Sequence, residues 1–329
     1  MRAWRVHAHG EPADVLVLED VAEPEPSPGQ VRLAVGACGL NWADALLCRG
    51  TYQERPALPL TPGLEVVGVV ERLGPDVTGP AVGDRVLAPT ALPHGGLADR
   101  CLVAADQVLA VPAEVADPTA VALYVTYQTA WVGLHHRAGL AEGQVVLVHA
   151  AAGATGSAFV QVARAAGARV LATAGGADKV DRARRLGAHA AVDSRDDDVD
   201  VVAWVRDQTD GRGADVVVDP VGGPLAEVSR RSVAFEGRLL VVGFASGDVP
   251  RIPANHVLVK NYDVVGLQWP AYRARRPDLV RTAHAALVDL LVTGRIDPVV
   301  GAVRPLEQAA AAVGDVLARR TEGKVVITP

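Results

Sequence analysis

The chain has 329 residues, of which 50% are hydrophobic and 21% charged, with a net charge of −6; this is typical of about two globular domains and excludes general disorder. The acidic balance and the lack of a Lys/Arg-rich stretch argue against nucleic acid or an anionic membrane as a partner. Since no apolar run reaches the roughly 18 residues of a membrane span, and neither a signal-peptide core nor a CxxC pair is present, we expect a cytoplasmic protein.

Short strands separated by turns are predicted for the first third of the chain. Val31–Val35 alternates at period two, Val66–Glu71 is a compact apolar run, and Gly83–Ala88 follows a Pro/Gly-rich bend. Short strands at such intervals predict a small β-rich domain of the barrel or sandwich type. Pro118 then indicates the start of an apolar helix, because proline is favoured in the first helical turn.

Strands and helices alternate between residues 144 and 266. Strands are predicted at Val145–His149, Arg169–Thr173, near Asp193, and at Asp215–Asp219, Arg238–Gly243 and Tyr262–Gly266. Their apolar continuity predicts a doubly wound α/β domain with about six parallel strands, covered on both faces. The closing strand Lys324–Thr328 lacks a partner in its own segment, so we expect it to return to the β-rich domain. The predicted domains are a substrate domain of residues 1–122 and 268–329 and a dinucleotide-binding domain of residues 123–267.

A glycine-rich turn joins the first strand of the α/β domain to its helix. It has the spacing of the dinucleotide-binding fingerprint, with Ala151 at the first glycine position, followed by Gly153 and Gly156. Gly153 allows backbone N–H groups to approach a pyrophosphate, Gly156 allows close packing of the helix, and the helix N-terminus favours an anion. A tight turn without a ligand is the alternative. The residues expected to bind a dinucleotide here are Ala152, Gly153, Ala154, Thr155 and Gly156.

The end of the second strand bears on the choice between NAD and NADP. An NAD-binding domain carries a carboxylate there, about 20 residues after the loop, whereas this chain has Gly175. The missing carboxylate removes repulsion of a 2′-phosphate, and Lys179 can attract one. The sequence therefore favours NADPH, with an ordinary exposed helix position as the alternative for Lys179.

Further motifs extend the pattern over almost the whole chain, at Cys38–Asp44, Arg49–Tyr52, Pro62–Gly68, Gly83–Val86, Thr129-Ala130, Asp219–Gly223 and Gly323–Ile327. Together with the glycine turn they resemble the quinone oxidoreductase (zeta-crystallin-like) branch of the medium-chain dehydrogenase/reductase superfamily. The resemblance implies an α/β fold with a GroES-like β-rich substrate domain and a Rossmann domain. A homodimer is expected through the edge strand Tyr262–Gly266, since an uncovered apolar edge invites pairing and relatives commonly associate this way.

The zinc alcohol dehydrogenases of this superfamily provide a contrast. They carry a zinc-binding cysteine and a zinc-binding histidine where this chain has Asn41 and Leu64. An amide and a leucine cannot replace thiolate and imidazole ligands, so no metal site is expected. Without a Lewis acid, the site suits hydride delivery to an acceptor that is already electron-poor.

The resemblance also implies roles for individual side chains. Asn41, Tyr52 and Thr129 are expected beside the nicotinamide, with Asn41 forming hydrogen bonds and Tyr52 orienting, stacking on or protonating the substrate. A turn-stabilising amide and a half-buried aromatic are the alternatives for Asn41 and Tyr52. Asp44 is predicted to be structural, because nothing in the sequence raises its pKa. Further cofactor contacts are expected at Ser194, where NADPH-binding members often have tyrosine, and at Val221, Gly243, Phe244 and Ala245.

These features predict an NADPH-dependent, zinc-independent oxidoreductase that transfers hydride to a quinone or a related α,β-unsaturated carbonyl. Two alternatives of different kinds stay open. One is an enoyl reductase of the lipid or polyketide type, which shares the fold. The other is a non-catalytic NADPH-binding protein of the crystallin kind, since fold alone does not imply function.

Overall fold

The computed structural model describes residues 1–329, whose helices and strands follow in three segments. The first contains β1 (Arg2–Val6), α1 (Pro12–Val15), β2 (Leu16–Asp20), β3 (Gln30–Gly39), α2 (Trp42–Arg49), β4 (Glu65–Leu73), β5 (Arg85–Pro89), β6 (Arg100–Ala104), β7 (Leu109–Ala110) and α3 (Asp117–Ala122). The second contains α4 (Gln128–Trp131), β8 (Val145–Val148), α5 (Ala154–Ala165), β9 (Arg169–Ala174), α6 (Ala177–Arg185), β10 (Ala190–Asp193), α7 (Val201–Asp207), β11 (Ala214–Asp219), α8 (Leu225–Ser232), β12 (Val233–Val241), α9 (Ala254–Lys260), β13 (Asp263–Gly266), α10 (Pro270–Arg275) and α11 (Pro277–Val292). The third contains β14 (Val300–Pro305), α12 (Ala309–Leu317) and β15 (Lys324–Thr328).

These elements form two units, one of Met1–Val125 with Val299–Pro329 and one of Thr126–Pro298. The first unit is built on a seven-stranded sheet in the order β14-β15-β3-β4-β5-β7, with β6 also paired to β3. In β3, Val31, Leu33 and Val35 face the core, because successive side chains of a strand point to opposite faces. The C-terminal strand β15 pairs antiparallel with β3, which brings the end of the chain to the start of α2.

The second unit contains a six-stranded sheet in the order β10-β9-β8-β11-β12-β13, and every pair in it is parallel. All four residues of β8 are buried, as expected for a central strand covered on both faces. The strand order changes direction between β8 and β11, which is where doubly wound folds bind their ligands. The predicted α/β fold class, with its parallel sheet of about six strands, is confirmed.

The second unit also includes residues 268–298, whereas the sequence places its domain boundary near residue 268. The physical reason lies in α11, which buries Val280, Ala283, His284 and Leu287 at the spacing of one helix face. This helix contacts α4 and α10, so the first element to rejoin the first unit is β14.

Of the helices, none combines the length and the apolarity that crossing a bilayer requires.

Candidate active site

The glycine turn ends β8 and begins α5. Its backbone is held by a hydrogen bond from the Gly153 N–H to the Ala150 carbonyl oxygen, at 3.0 Å. Gly153 is the N-cap residue of α5, and no side chain caps the helix there. The N–H groups of the first turn therefore have the character of an anion site, because the first N–H groups of a helix lack intrahelical acceptors.

The two glycines of the turn have different surroundings. A Cβ atom on Gly156 would lie 2.7 Å from the carbonyl carbon of Ala150 and closer still to its oxygen, so the packing of α5 requires glycine there. A Cβ atom on Gly153 would lie 3.4 Å from that oxygen, which is an ordinary contact. The open side of the turn at Gly153, beside an uncapped helix, fits the pyrophosphate of a dinucleotide.

The other predicted cofactor residues of this unit lie in turns at the carboxyl edge of the parallel sheet. Gly175 follows β9, Ser194 follows β10 and Val221 follows β11. The ends of parallel strands share one edge, so these turns stand on the same side of the sheet as the glycine turn. Lys179 lies half-buried on α6, which starts from this same edge.

The turn after β12 contains the predicted residues Gly243, Phe244 and Ala245. The Ala245 N–H donates to the Pro220 carbonyl oxygen at 3.1 Å, which joins this turn to the one after β11. The Phe244 ring is 42% exposed and borders Gly222, where a Cβ atom would lie 3.0 Å from the ring. An exposed aromatic ring is therefore available at the sheet edge to cover a ligand.

Arg195 is a residue at this edge that sequence reasoning misses. Its side chain packs against Gly175, because a Cβ atom placed on Gly175 would lie 2.6 Å from Arg195 Nε. The Arg195 N–H donates to Asp193 Oδ1 at 2.9 Å, and the Gly176 N–H donates to the same oxygen at 2.9 Å. These two backbone donors lower the pKa of Asp193 below its ordinary value. The only signal in the sequence was the position of Arg195 next to Ser194.

Asn41 starts α2 in the first unit and is held by two buried charged side chains. Its Oδ1 accepts a hydrogen bond from Lys324 Nζ at 2.7 Å, and its Nδ2 donates to Glu65 Oε1 at 2.8 Å. Lys324 and Glu65 also form an ion pair with each other, and each residue is at most 1% exposed. Charged residues inside the apolar strands β4 and β15 were the signal by which sequence reasoning could have found this cluster.

Asp44 is buried one turn into α2. Its Oδ2 accepts from the Asn41 N–H at 2.7 Å, and its Oδ1 accepts from the Gly63 N–H at 2.9 Å. Burial raises the pKa of Asp44 to about 6, although the two hydrogen bonds favour the ionised form. The expectation that nothing raises this pKa is wrong, since the sequence does not show that the carboxyl group is completely buried.

The other predicted residues occupy separate places. Tyr52 follows α2 in the first unit and is half-buried, whereas Thr129 lies on α4 in the second unit and is 8% exposed.

The side chain of Leu64, which precedes β4, offers no metal-binding atom. No group of three or more His, Cys, Asp or Glu side chains is arranged to hold a metal ion. Burial raises the pKa of the Cys48 thiol to about 12, so this side chain stays protonated.

Comparisons with known proteins identify the family. A model of the alcohol dehydrogenase GroES-like domain matches residues 27–134, and a model described as zinc-binding dehydrogenase matches residues 154–285. The quinone oxidoreductase-like protein 2 of Bos taurus is 38% identical over 99% of this chain and 93% of its own. The chain belongs to the quinone oxidoreductase branch of the medium-chain dehydrogenase/reductases. The human quinone oxidoreductase is 31% identical over 95% of this chain and 92% of its own.

Solved structures of this branch have the same fold. A mycobacterial protein in complex with NADPH superposes with a TM-score of 0.92 at 31% identity, over 100% of both chains. The Escherichia coli quinone oxidoreductase, also in complex with NADPH, superposes with a TM-score of 0.91 at 27% identity, again over 100% of both chains. The family and the fold that the sequence motifs imply are thus confirmed.

Proposed function

We propose that the protein is an NADPH-dependent oxidoreductase that transfers hydride to a quinone or a related α,β-unsaturated carbonyl without zinc. The observation that most favours this function is the buried ammonium group of Lys324 bonded to Asn41. By the family resemblance, Asn41 stands where the zinc enzymes have a metal-binding cysteine. A positive charge beside this oxygen disfavours a divalent cation, because the ammonium group and the metal ion would repel each other.

NADPH, when bound, supplies the hydride, and the chain binds and orients it. The glycine turn would hold the pyrophosphate through the N–H groups at the start of α5. Lys179 and Arg195 would bind the 2′-phosphate, since two cations suit a dianion, and the Ser194 hydroxyl would turn to it from the Ala174 carbonyl oxygen, to which it donates at 3.3 Å. The remaining residues proposed to contact the cofactor are Asn41, Thr129, Ala152, Gly175, Val221, Gly243, Phe244 and Ala245.

The residues of the proposed site include no Lewis acid that could polarise a carbonyl group. The hydride acceptor must therefore be electron-poor by its own structure. Quinones and enones fulfil this condition, since their conjugated carbonyl groups accept hydride without a bound metal. Tyr52 is proposed to contact the acceptor. Its half-buried phenol combines an apolar ring for packing with a hydroxyl group that can donate a hydrogen bond or a proton. Phe244 would cover the reacting end of the cofactor and exclude water.

A matrix of two cofactors and two classes of acceptor tests this function. NADPH and NADH are each assayed with a series of quinones, a cyclic enone and an enoyl thioester, and the zinc content is measured on the same preparation. We expect turnover of NADPH with quinones at less than one zinc ion per ten chains. Turnover confined to the thioester would instead support the enoyl reductase, and tight NADPH binding without any turnover would support the binding protein. A preference for NADH, or stoichiometric zinc that is lost together with activity on chelation, would contradict the proposal.

A further inference from the structure

Lys324 is one of three lysines among 32 basic residues, and it lies in the core of the first unit. Its ammonium group contacts Glu65 and, at 2.7 Å, Asn41 Oδ1. A buried ion pair is seldom a good source of stability, because desolvation of two charges costs several kcal/mol and an apolar pair of similar volume often serves as well. The pair is therefore better explained by what it does to Asn41.

The two charged groups determine which way the Asn41 amide points. An ammonium group can only donate hydrogen bonds and a carboxylate can only accept them, so Oδ1 must face Lys324 and Nδ2 must face Glu65. Both amide hydrogens are then directed at protein acceptors, namely Glu65 Oε1 at 2.8 Å and the Gly39 carbonyl oxygen at 3.3 Å. No amide hydrogen is left for a ligand, so what Asn41 can offer one is acceptance at Oδ1, which the Asp44 N–H also approaches in the capping box of α2.

The cluster is also rigid. The second oxygen of Glu65 accepts from the Val125 N–H at 2.8 Å, so both carboxylate oxygens are fixed. A Cβ atom on Gly39 would lie 2.6 Å from Glu65 Oε1 and 2.8 Å from Lys324 Cε, so glycine is what leaves room for the pair. A rigid support of this kind holds a ligand-contacting side chain in one orientation.

We infer that Lys324, together with Glu65, is a positioning residue that presents Asn41 to the ligand solely as a hydrogen-bond acceptor. A quinone or enone carbonyl is itself an acceptor and cannot bond to Oδ1. The partner must carry O–H or N–H groups, as the ribose hydroxyls and the carboxamide of a nicotinamide cofactor do. This last step rests on the proposed function, whereas the orientation of the amide does not. Asn41 therefore serves cofactor binding and leaves the acceptor carbonyl to other groups.

Four variants separate positioning from simple charge neutralisation. Lys324→Met leaves Glu65 buried without its partner and lowers stability whichever role is correct. Lys324→Met/Glu65→Met removes both charges, so stability should recover while the Asn41 amide lacks both charged partners. Lys324→Arg keeps a donor for Oδ1 and should partly restore binding. The matched control is Arg304→Met. Arg304 lies on β14, the strand next to β15, and the substitution breaks its half-exposed ion pair with Asp315 of α12.

The first measurement is the Kd of NADPH, with KM for a quinone alongside. We expect the double variant to bind NADPH about tenfold more weakly, the equivalent of one hydrogen bond, with an unchanged quinone KM. Asn41→Ala should show the same loss, and adding it to the double variant should cost nothing more, because the two changes remove one interaction. A folded double variant that binds NADPH as the wild type does would overturn the inference.

The second measurement does not depend on activity. In deuterated, ¹⁵N-labelled protein, the side-chain NH₂ signals of Asn41, identified by their loss in Asn41→Ala, should exchange slowly with solvent. They should lose this protection in the double variant and keep it in Arg304→Met. Unchanged protection in the double variant would overturn the inference even if the wild type bound no NADPH, and that failure of binding would count against the proposed function alone.

Discussion

Two basic side chains in the segments that follow β9 and β10 are proposed to favour NADPH over NADH. Lys179 is half-buried on α6 and the Arg195 side chain packs against Gly175. Lys179→Ala and Arg195→Ala should each weaken NADPH binding by about 1–2 kcal/mol, the scale of one charge-assisted contact, and leave NADH almost unaffected. Calorimetric titration with both cofactors measures the difference. Arg185→Ala, which removes an exposed charge from the last turn of α6, should change neither affinity.

Equal losses for the two cofactors in Lys179→Ala and Arg195→Ala would mean that these residues act on a part common to both. The 2′-phosphate site would then lie elsewhere.

Asp44 gives the stability of the protein a component that depends on pH. Its pKa is about 6 in the folded protein, above the ordinary aspartate value of 3.8, so the folded state binds this proton more tightly than the unfolded chain does. The resulting stabilisation is complete below pH 4 and is lost as the pH rises through 6, by up to about 3 kcal/mol for two pKa units. Asp44→Asn removes this component. The stability of the wild type relative to the variant should therefore fall between pH 4.5 and pH 7.5 in urea titrations, and a flat difference would contradict the assignment.

The sequence identifies Asn41 as a candidate site residue but cannot show what holds it. Its partners Glu65 and Lys324 come from two other strands, and Lys324 is 283 positions away along the chain. The direction of Arg195 is likewise invisible, because it depends on how Asp193 holds the backbone of the turn. Motif spacing thus locates candidate ligand-binding side chains more readily than the residues that hold them in place.

Among the elements, the strands of the parallel sheet are predictable because each is a continuous apolar run. Three of the elements missed by the sequence analysis lack such a signal, namely β14, α9 and α10. β14 (Val300–Pro305) alternates between half-buried and exposed residues and buries none completely, and α9 and α10 bury no residue at all. The apolar helix predicted after Pro118 exists, but π-helical turns at Leu123–Tyr127 and Val132–Arg137 interrupt it. The sequence contains no proline or glycine that would predict the first of these interruptions.

The glycine turn before α5 allows packing and ligand binding to be separated within one element. Gly156→Ala should lower stability by about 1–3 kcal/mol, because the new methyl group meets the backbone of Ala150. Gly153→Ala has room in the protein alone and should stay within about 0.5 kcal/mol of the wild type. It should nevertheless weaken NADPH binding at least tenfold, since its methyl group occupies the place proposed for the pyrophosphate. Thermal unfolding and NADPH titration of both variants provide the two measurements.

If Gly153→Ala bound NADPH normally, the pyrophosphate could not lie against this turn. Loss of stability in Gly153→Ala but not in Gly156→Ala would reverse the two roles.

At the scale of the whole chain, the order of the elements is what the sequence reveals best, and the extent of each unit what it reveals least. The strand β15 lacks a partner nearby, and it pairs with β3 in the sheet of the first unit. The boundary near residue 268 follows from the end of the last parallel strand, but α11 stays with the second unit because its apolar face packs there. The periodicity of a sequence shows that a helix has an apolar face. Tertiary packing decides which surface that face covers, and the periodicity does not predict it.

We propose that the protein is a homodimer that pairs through the outer edge of β13. This strand ends the parallel sheet, so its second edge has no partner within the chain. Exposed apolar side chains lie on β13 itself (Val264, 41% exposed) and on α9, the helix that precedes it in the chain (Leu258, 76%, and Val259, 77%). An open edge beside an apolar surface favours pairing with a symmetry mate, which would satisfy the backbone groups and bury the side chains.

Light scattering should therefore give twice the 34.2 kDa chain mass at micromolar concentration. Val264→Lys places a charge at the proposed interface and should shift the protein to a monomer. Val303→Lys is the matched control, because Val303 is a 51% exposed valine on β14, the edge strand of the other sheet. A monomeric wild type would refute the dimer, and dissociation by Val303→Lys rather than Val264→Lys would move the interface to the first unit. Both substitutions replace an exposed valine on an edge strand with lysine. A difference between their effects on the oligomeric state therefore reports which edge lies in the interface.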